Sequence, residues 1–320
     1  MAKYKVYVTD ERHESYEIER QILKQIDAEL IVCNCLTEDD ILANCAEADA
    51  LLLDCAPGTA KVIAGLPKCK VINRYGVGYD NVDLAAANAA HIQVTYVPDY
   101  CEEDVSDHAM GLMMACMRDI ANRDRLIRQG KWNLQRTSFR IQGKVLGLIG
   151  FGRIARAFAR KCGGFGLEKI LVYDPYVTEE ACQAAGAQKA TLEEVMHQAD
   201  ILSLHAPVTP ETTRMLNKET IAWMKPTAIL VNTSRGMLID DDALIEALRQ
   251  RRILCAGLDA FSVEPMPKDS PYFELDNVIL TDHSGYSNVE SIVELKEKSA
   301  WNIVDVLTGK QPKYPVNRLV

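Results

Sequence analysis

The sequence has no long apolar run and no cluster of basic residues. No stretch of about 18 consecutive apolar residues occurs in the 320-residue chain, so we expect no membrane-spanning helix. The basic residues are scattered and the formal net charge is −9, which makes contact with a nucleic-acid backbone or an anionic membrane repulsive overall. These features argue against a nucleic acid or a membrane as the main partner.

We also expect no secretion signal, because residues 1–6 enter a strand-like apolar alternation directly. We therefore expect a cytoplasmic protein whose ten cysteines remain thiols in a reducing compartment. Cys33 and Cys35 are the only close pair. A C-x-C sequence without a nearby His or a second pair is a poor zinc site, so we expect no metal.

Length and composition indicate a two-domain globular protein. With 320 residues, of which 48% are hydrophobic and 25% charged, the chain is too long for one ordinary core and fits two. No segment is polar or repetitive enough to indicate disorder. Ligands usually bind in the cleft of such a two-domain protein.

Short β-branched runs alternate with helical patterns in two successive series. The predicted strands of the two series are residues 5–9, 30–33, 50–54 and 70–73, and then 145–149, 170–173, 201–204, 228–232, 255–258 and 278–280. The clearest helical patterns are residues 14–26, 37–45, 153–161 and 241–249. This alternation predicts an α/β protein with two doubly wound parallel sheets.

The boundary between the series lies near Val97-Pro98-Asp99-Tyr100, where a proline ends a strand. A long helix then begins with acidic residues at Glu102, and we expect it to reach about Gln129. A last helix, residues 289–307, has no following strand and is expected to pack on the first domain. The predicted domains are residues 1–101 with 287–320, and residues 102–286.

Residues 145–155 form a buried strand, a glycine turn and the start of a helix. Gly150 permits the tight turn, Gly152 lets the backbone approach a pyrophosphate, and Ala155 is small enough for close helix packing. The anion would lie on the helix N-terminus, which begins with Arg153 and Ile154. The sequence thus predicts a dinucleotide site.

Asp174 ends the next strand, 19 residues after Ala155. A carboxylate there accepts hydrogen bonds from the adenine ribose hydroxyls and repels a 2′-phosphate, so the predicted cofactor is NAD and not NADP. In the alternative interpretation, Gly150 and Gly152 make only a tight turn and Asp174 caps the turn before Pro175.

Several segments resemble the D-isomer-specific 2-hydroxyacid dehydrogenase family, which includes phosphoglycerate dehydrogenases and the C-terminal-binding-protein branch. They are residues 74–83 (RYGVGYDNVD), the glycine turn, and residues 231–236 (VNTSRG), 259–265 (DAFSVEP) and 282–285 (DHSG). The resemblance implies a flavodoxin-like substrate domain, a Rossmann NAD-binding domain, and hydride transfer between NAD(H) and C2 of a 2-oxo or D-2-hydroxy acid.

Three side chains fit the chemistry that such a reduction needs. Arg235 follows a buried strand, and its planar guanidinium can bind a carboxylate with two hydrogen bonds and polarise the C2 carbonyl. His283 follows the last strand and can exchange a proton near neutral pH. Glu264 can hold the imidazolium. Taken alone, the arginine could equally be a surface residue or a pyrophosphate ligand, and a lone histidine after a strand is more often structural.

The resemblance implies further contacts. Asp259 would contact the nicotinamide carboxamide, and the backbone amides of Val77 and Gly78 would receive the substrate carboxylate. The other residues expected near the cofactor are Ala206, Thr233, Ser234, Arg235, His283 and Gly285. The remaining histidines are interpreted as structural: His13, His91, His108, His197 and His205.

Two departures from the family pattern bear on the substrate. Asp54 lies where phosphoglycerate dehydrogenases carry a basic residue for the phosphate, which favours an unphosphorylated substrate. Tyr286 replaces the tryptophan that follows the catalytic histidine in the C-terminal-binding-protein branch. Alternatively, Asp54 caps a helix that begins near Pro57 and never meets substrate.

The resemblance also implies a homodimer that pairs through the nucleotide domain. The apolar run of Met110, Met113, Met114 and Met117 fits either that interface or the core of its own domain. An NADH-sensing regulatory scaffold with little turnover is the alternative function, which the absence of basic arms and of a disordered tail disfavours.

Overall fold

The computed structural model describes residues 2–132 and 134–319. Three residues lie outside the described residues: Met1, Asn133 and Val320. Met1 and Val320 are the outer ends of the predicted first domain. The chain divides into two compact units, one made of residues up to Cys101 together with those from Asn288 onward, the other of Glu102–Ser287.

The first unit contains a five-stranded parallel sheet in the order β2-β1-β3-β4-β5. This is the flavodoxin-like order. Its strands are β1 (Tyr4–Val8), β2 (Ala28–Val32), β3 (Ala50–Leu53), β4 (Val71–Arg74) and β5 (Gln93–Thr95). Its helices are α1 (Glu17–Leu23), α2 (Glu38–Asn44), α3 (Ala60–Ala64), α4 (Leu84–Ala89) and α12 (Val289–Leu307).

Burial and capping explain why these segments adopt their structure. Every side chain of β3 is buried, as expected for a central strand of a parallel sheet covered on both faces. Helix α12 begins at a cap, where the Asn288 side chain accepts a hydrogen bond from the Ser291 amide at 2.8 Å. It packs on α1 and β4, so the end of the chain completes the core of the first unit.

The second unit contains a seven-stranded parallel sheet in the order β12-β11-β10-β9-β6-β7-β8. Its strands are β6 (Val145–Ile149), β7 (Lys169–Tyr173), β8 (Gln188–Lys189), β9 (Ile201–Leu204), β10 (Ile229–Asn232), β11 (Cys255–Leu258) and β12 (Val278–Leu280). This is the Rossmann order with one added edge strand. The predicted fold class, two doubly wound parallel sheets, is confirmed.

The helices of the second unit are α5 (Glu102–Arg118), α6 (Ile120–Arg128), α7 (Arg153–Cys162), α8 (Glu179–Gln183), α9 (Leu192–Gln198), α10 (Lys218–Ala222) and α11 (Asp241–Arg249). The prediction of one continuous helix from Glu102 to about Gln129 is wrong. Asp119 breaks it with a φ of 55°, a left-handed conformation that aspartate tolerates better than most residues. The Asp119 carboxylate also pairs with Arg136.

Candidate active site

The predicted site residues of the second unit follow strands of one parallel sheet. Because the carboxyl ends of parallel strands meet at one edge of a sheet, these residues share the edge at which doubly wound sheets bind ligands. In chain order they are Gly150 and Gly152 with Arg153 and Ile154 after β6, Asp174 after β7, Ala206 after β9, Thr233 to Arg235 after β10, Asp259 and Glu264 after β11, and His283 and Gly285 after β12.

The turn after β6 requires glycine. Gly150 has a φ of 86°, and a Cβ there would lie 2.7 Å from the carbonyl carbon and oxygen of His205. A Cβ on Gly152 would instead meet open space. Gly152 is the N-cap of α7, and no side chain within the described residues caps that helix. The turn and the helix N-terminus therefore fit the pyrophosphate of a dinucleotide.

Asp174 links the end of β7 to this turn. One carboxylate oxygen accepts a hydrogen bond from the Phe151 amide at 2.8 Å, and the other accepts one from the Tyr176 amide at 2.9 Å. The carboxylate thus caps the turn, as the alternative interpretation holds. Each carboxylate oxygen accepts more than one hydrogen bond, so this cap is compatible with a ribose contact as well.

The segment after β10 is fixed by Asn232, which sequence reasoning did not single out. Its buried side chain donates to the Arg235 carbonyl at 2.9 Å and accepts from the Ser234 amide at 3.1 Å and the Ser234 hydroxyl at 3.0 Å. Thr233 Oγ1 is buried and has no hydrogen-bond partner among the described residues. A buried hydroxyl without a partner is costly, so Thr233 fits a ligand group such as the expected nicotinamide.

His283 and Glu264 form a direct pair. The imidazole Nδ1 lies 2.7 Å from one Glu264 carboxylate oxygen, and the other oxygen accepts a hydrogen bond from the Phe261 amide at 2.8 Å. Both side chains are about one-third exposed. His283 has a φ of 55°, an uncommon conformation for a non-glycine residue. With Nδ1 engaged, Nε2 is the ring nitrogen that remains for a substrate.

Electrostatics keep Glu264 ionised. Burial raises the pKa of this carboxyl, but hydrogen bonds from His283 and Phe261 and the nearby charges of His283 and Arg235 outweigh it and lower the pKa below its usual value. The ionised carboxylate stabilises a positive charge on the His283 ring.

The segments that carry Arg235 and Glu264 are in close contact at Gly236. Gly236 is buried, and a Cβ there would overlap the backbone of Phe261 and Ser262. Only a residue without a side chain permits this approach. The chain after Arg235 and the loop that holds Glu264 are therefore positioned by each other.

Asp259 is the centre of a network that includes His108, which the sequence alone indicates only as a structural residue. Asp259 is 1% exposed and accepts hydrogen bonds from the Thr281 hydroxyl at 2.6 Å and from the amides of Ser284 and Gly285, each at 3.0 Å. His108 Nε2 lies 3.3 Å from the same carboxylate and 2.9 Å from Thr281 Oγ1.

This network changes the pKa values of its acidic member, Asp259, and of its basic member, His108. Burial alone raises the pKa of Asp259, but hydrogen bonds from His108, Thr281 and Gly285 outweigh it and lower the pKa to about 2. The hydrogen bond with Asp259 raises the pKa of His108. The network holds the backbone immediately after His283, because Ser284 and Gly285 both donate to Asp259. The expected contact of Asp259 with nicotinamide stays a prediction.

In the first unit, the loop after β4 contains the predicted substrate-binding residues. The amides of Val77 and Gly78 donate no hydrogen bond to any described residue, which fits an anion-binding role. Gly76, beside them, has a φ of 135°. The assignment of Val77 and Gly78 to the substrate carboxylate stays a prediction.

Asp54 follows β3 and does not cap a helix. The alternative that it caps a helix near Pro57 is wrong, because α3 begins at Ala60 and is capped by Thr59. The Asp54 carboxylate instead lies 3.5 Å from an Arg74 guanidinium nitrogen and 4.0 Å from Arg12 Nε. The carboxylate thus offsets the charge of two cations.

Comparison with known proteins identifies the family. Residues 110–285, more than half of the chain, match the model of the D-isomer specific 2-hydroxyacid dehydrogenase family, NAD binding domain. The chain belongs to this family, so it is an NAD-dependent D-2-hydroxyacid dehydrogenase. The predicted family, enzyme class, reaction and NAD cofactor are confirmed.

Individual relatives cover most of the chain. It is 38% identical to a glyoxylate reductase of Korarchaeum cryptofilum over 82% of this chain and 80% of that protein. It is also 38% identical to a D-3-phosphoglycerate dehydrogenase of Methanocaldococcus jannaschii, over 98% of this chain but only 59% of that protein. A solved structure of the TT0316 protein from Thermus thermophilus aligns with a TM-score of 0.88 at 33% identity, covering 98% of this chain and 100% of that one.

None of the described helices has the length and apolar character that a membrane span requires.

Proposed function

We propose that the protein reduces a small, unphosphorylated 2-oxo acid, with glyoxylate and hydroxypyruvate as the first substrates to test. The observation that carries the proposal is the His283–Glu264 pair, which lies at the same sheet edge as Arg235 and the glycine turn. Relatives named glyoxylate reductase support a small substrate.

In this mechanism each of the three side chains has a separate task. NADH supplies the hydride when it is bound. Arg235 binds the substrate carboxylate and polarises the C2 carbonyl through its guanidinium. His283 gives the proton on Nε2 to the developing alkoxide, while Nδ1 stays hydrogen-bonded to Glu264. The Glu264 carboxylate orients the ring and stabilises the imidazolium before the proton is transferred.

Substrate selection is assigned to Asp54 and the arginines beside it. A phosphate carries close to two negative charges at neutral pH and needs cations that are not already offset. The Asp54 carboxylate offsets Arg74 and Arg12 and adds repulsion of its own. An unphosphorylated 2-oxo acid does not meet this penalty.

The parent enzyme is expected to have a higher kcat/KM for hydroxypyruvate than for its 3-phosphorylated form. In Asp54→Asn the carboxylate charge is lost while Arg74 and Arg12 remain, so the ratio should shift toward the phosphorylated substrate by about tenfold. The measurement is the ratio of kcat/KM for the two substrates with NADH in both proteins.

Asp39→Asn provides the matched control. Asp39 belongs to an exposed ion pair with Lys61 in the same unit, so its loss changes the net charge equally. Its substrate ratio should equal that of the parent. A parent that prefers the phosphorylated substrate would refute the selectivity, and an unchanged ratio in Asp54→Asn would place Asp54 outside the substrate pocket.

NADH should be strongly preferred over NADPH because a 2′-phosphate would approach the Asp174 carboxylate. Asp174→Ala is expected to lower kcat/KM with NADH and to narrow the preference, since both the ribose hydrogen bonds and the repulsion disappear. The measurement is kcat/KM for both cofactors at fixed substrate. The same substitution removes the hydrogen bond to the Phe151 amide, so a thermal unfolding curve must accompany it. Equal efficiency with the two cofactors in the parent would contradict the assignment.

We also propose that the protein is a cytoplasmic homodimer. The proposed interface includes α6 and the residues after it, where Ile120, Ile127 and Trp132 are exposed by 52%, 42% and 76%. Large apolar side chains grouped on a surface are typical of an interface. The run of methionines on α5 contributes to the core of its own unit, where Met113 and Met117 are at most 2% exposed.

A further inference from the structure

Three cysteine thiols of the first unit lie together, although the sequence suggested only the pair Cys33 and Cys35. Cys45 completes the group, which we call the three-thiol cluster. Its three Sγ atoms all lie within 4.8 Å of one another. Among the described residues, no fourth His, Cys, Asp or Glu ligand atom belongs to the group.

The backbone holds the three thiols in place. Cys33 and Cys35 follow β2, and their amides donate to the carbonyls of Val8 and Thr9 at 2.9 and 2.8 Å. Cys45 is the C-cap of α2, and its amide donates to the Ile41 carbonyl at 2.8 Å.

The cluster lies in the apolar core of the first unit, with the acidic residues Asp40 and Asp10 nearby. Cys35 and Cys45 are at most 1% exposed and belong to the core, whereas Cys33 is half-buried and provides access. Burial raises the pKa of Cys35. A hydrogen bond with Cys45 lowers this pKa, and the nearby charges of Asp40 and Asp10 raise it, so that the pKa is raised overall. Burial also raises the pKa of Cys45. Cys35 and Cys45 are therefore neutral thiols at rest.

Charge decides which soft ion suits such a cluster. Three thiolates with Cu(I) would leave two net negative charges in the core, and with Zn(II) they would leave one. Zinc also takes a fourth ligand in structural sites, which this group does not supply. A trivalent ion bound by three thiolates has no net charge, and it can be fully coordinated by these three ligands.

We propose that the three-thiol cluster binds trivalent arsenic, taken up as arsenous acid. Cys33, Cys35 and Cys45 each form one As–S bond, three As–O bonds break, and the three thiol protons leave on three water molecules. No electron is transferred and the product is neutral. The three Sγ atoms already lie within 4.8 Å of one another, which places all three beside a single arsenic atom.

The test uses sodium arsenite and the full chain, reduced with a thiol-free phosphine. We expect one arsenic per chain, seen in the intact mass as one arsenic atom gained and three hydrogen atoms lost, together with a rise in Tm that depends on arsenite concentration. Zinc chloride should bind more weakly. The variant Cys33→Ser keeps only the other two thiols of the cluster. Position 33 is half-buried and tolerates serine, so the variant should fold, and its affinity for arsenite should fall by roughly 100-fold.

Cys69→Ser is the matched control, because Cys69 is a buried thiol of the same core outside the cluster. It should bind arsenite as the parent does. Equal affinity in the parent and Cys33→Ser, a mass gain with fewer than three hydrogens lost, or tighter binding of zinc than of arsenite would each overturn the proposal. Cys45→Ser provides an independent second variant with the same expected loss.

Discussion

His283→Ala is expected to lower the turnover of 2-oxo acid reduction by roughly 100-fold or more, the usual effect of losing a general acid. In the parent, Nδ1 of His283 is held 2.7 Å from Glu264, which leaves Nε2 to protonate the alkoxide. Alanine removes the proton donor but not the glycine turn. Steady-state kcat should therefore fall far more than the affinity for NADH, measured as a Kd by fluorescence titration.

Glu264→Gln tests the same pair through the pH profile. Without the carboxylate, the imidazolium is less stabilised, so the alkaline limb of the reduction profile should move to lower pH. His197→Ala is the matched control, since His197 also lies beside a glutamate, 3.7 Å from Glu193 on the surface of the same unit. Loss of activity in the control, or an unmoved alkaline limb in Glu264→Gln, would show that the pair is misassigned.

Gly236→Ala is expected to destabilise the protein by about 3 kcal/mol and to reduce activity sharply. A methyl group there would overlap the backbone of Phe261 and Ser262, which cannot yield as a flexible side chain would. To remove this overlap, either the loop that carries Glu264 or the segment that carries Arg235 must shift. Denaturant unfolding measures the loss of stability, and steady-state kinetics measure the loss of activity.

Gly163→Ala is the control for this substitution. Gly163 has a right-handed helical φ of −55°, and a Cβ there meets no atom within 4 Å. Its stability should equal or slightly exceed that of the parent, because alanine restricts the unfolded chain. Parent-like stability and activity in Gly236→Ala would contradict the described contact between the two segments.

Much of the fold was predictable from local sequence patterns. The strand β3 and the strand before Gly150 are continuous apolar runs, and such runs separated by helical periodicity specify parallel sheets. The break at Asp119 was not predictable, because the apolar spacing continues across it and only the backbone conformation changes. The strand β8 was not predictable either, because two residues are too few to show the alternation of apolar and polar side chains that indicates a strand.

The candidate site was predictable where a side chain directly follows a strand. Arg235 and His283 could be placed at one sheet edge for that reason alone. The partners of His108 and Cys45 could not be predicted, since each depends on contacts across the fold. His108 meets Asp259 across about 150 residues, and Cys45 reaches Cys33 and Cys35 only after α2 has turned the chain back.

The division of the chain has a consequence for its synthesis. The second unit is one continuous segment, so all of its residues exist once Ser287 has left the ribosome. The first unit begins ahead of the second along the chain but lacks α12 until residues 289–307 have been made. Until then β4 and α1 lack the helix that covers them, and the first unit exposes apolar surface to chaperones. Of the two units, the one that starts first along the chain is therefore the second to be able to finish folding.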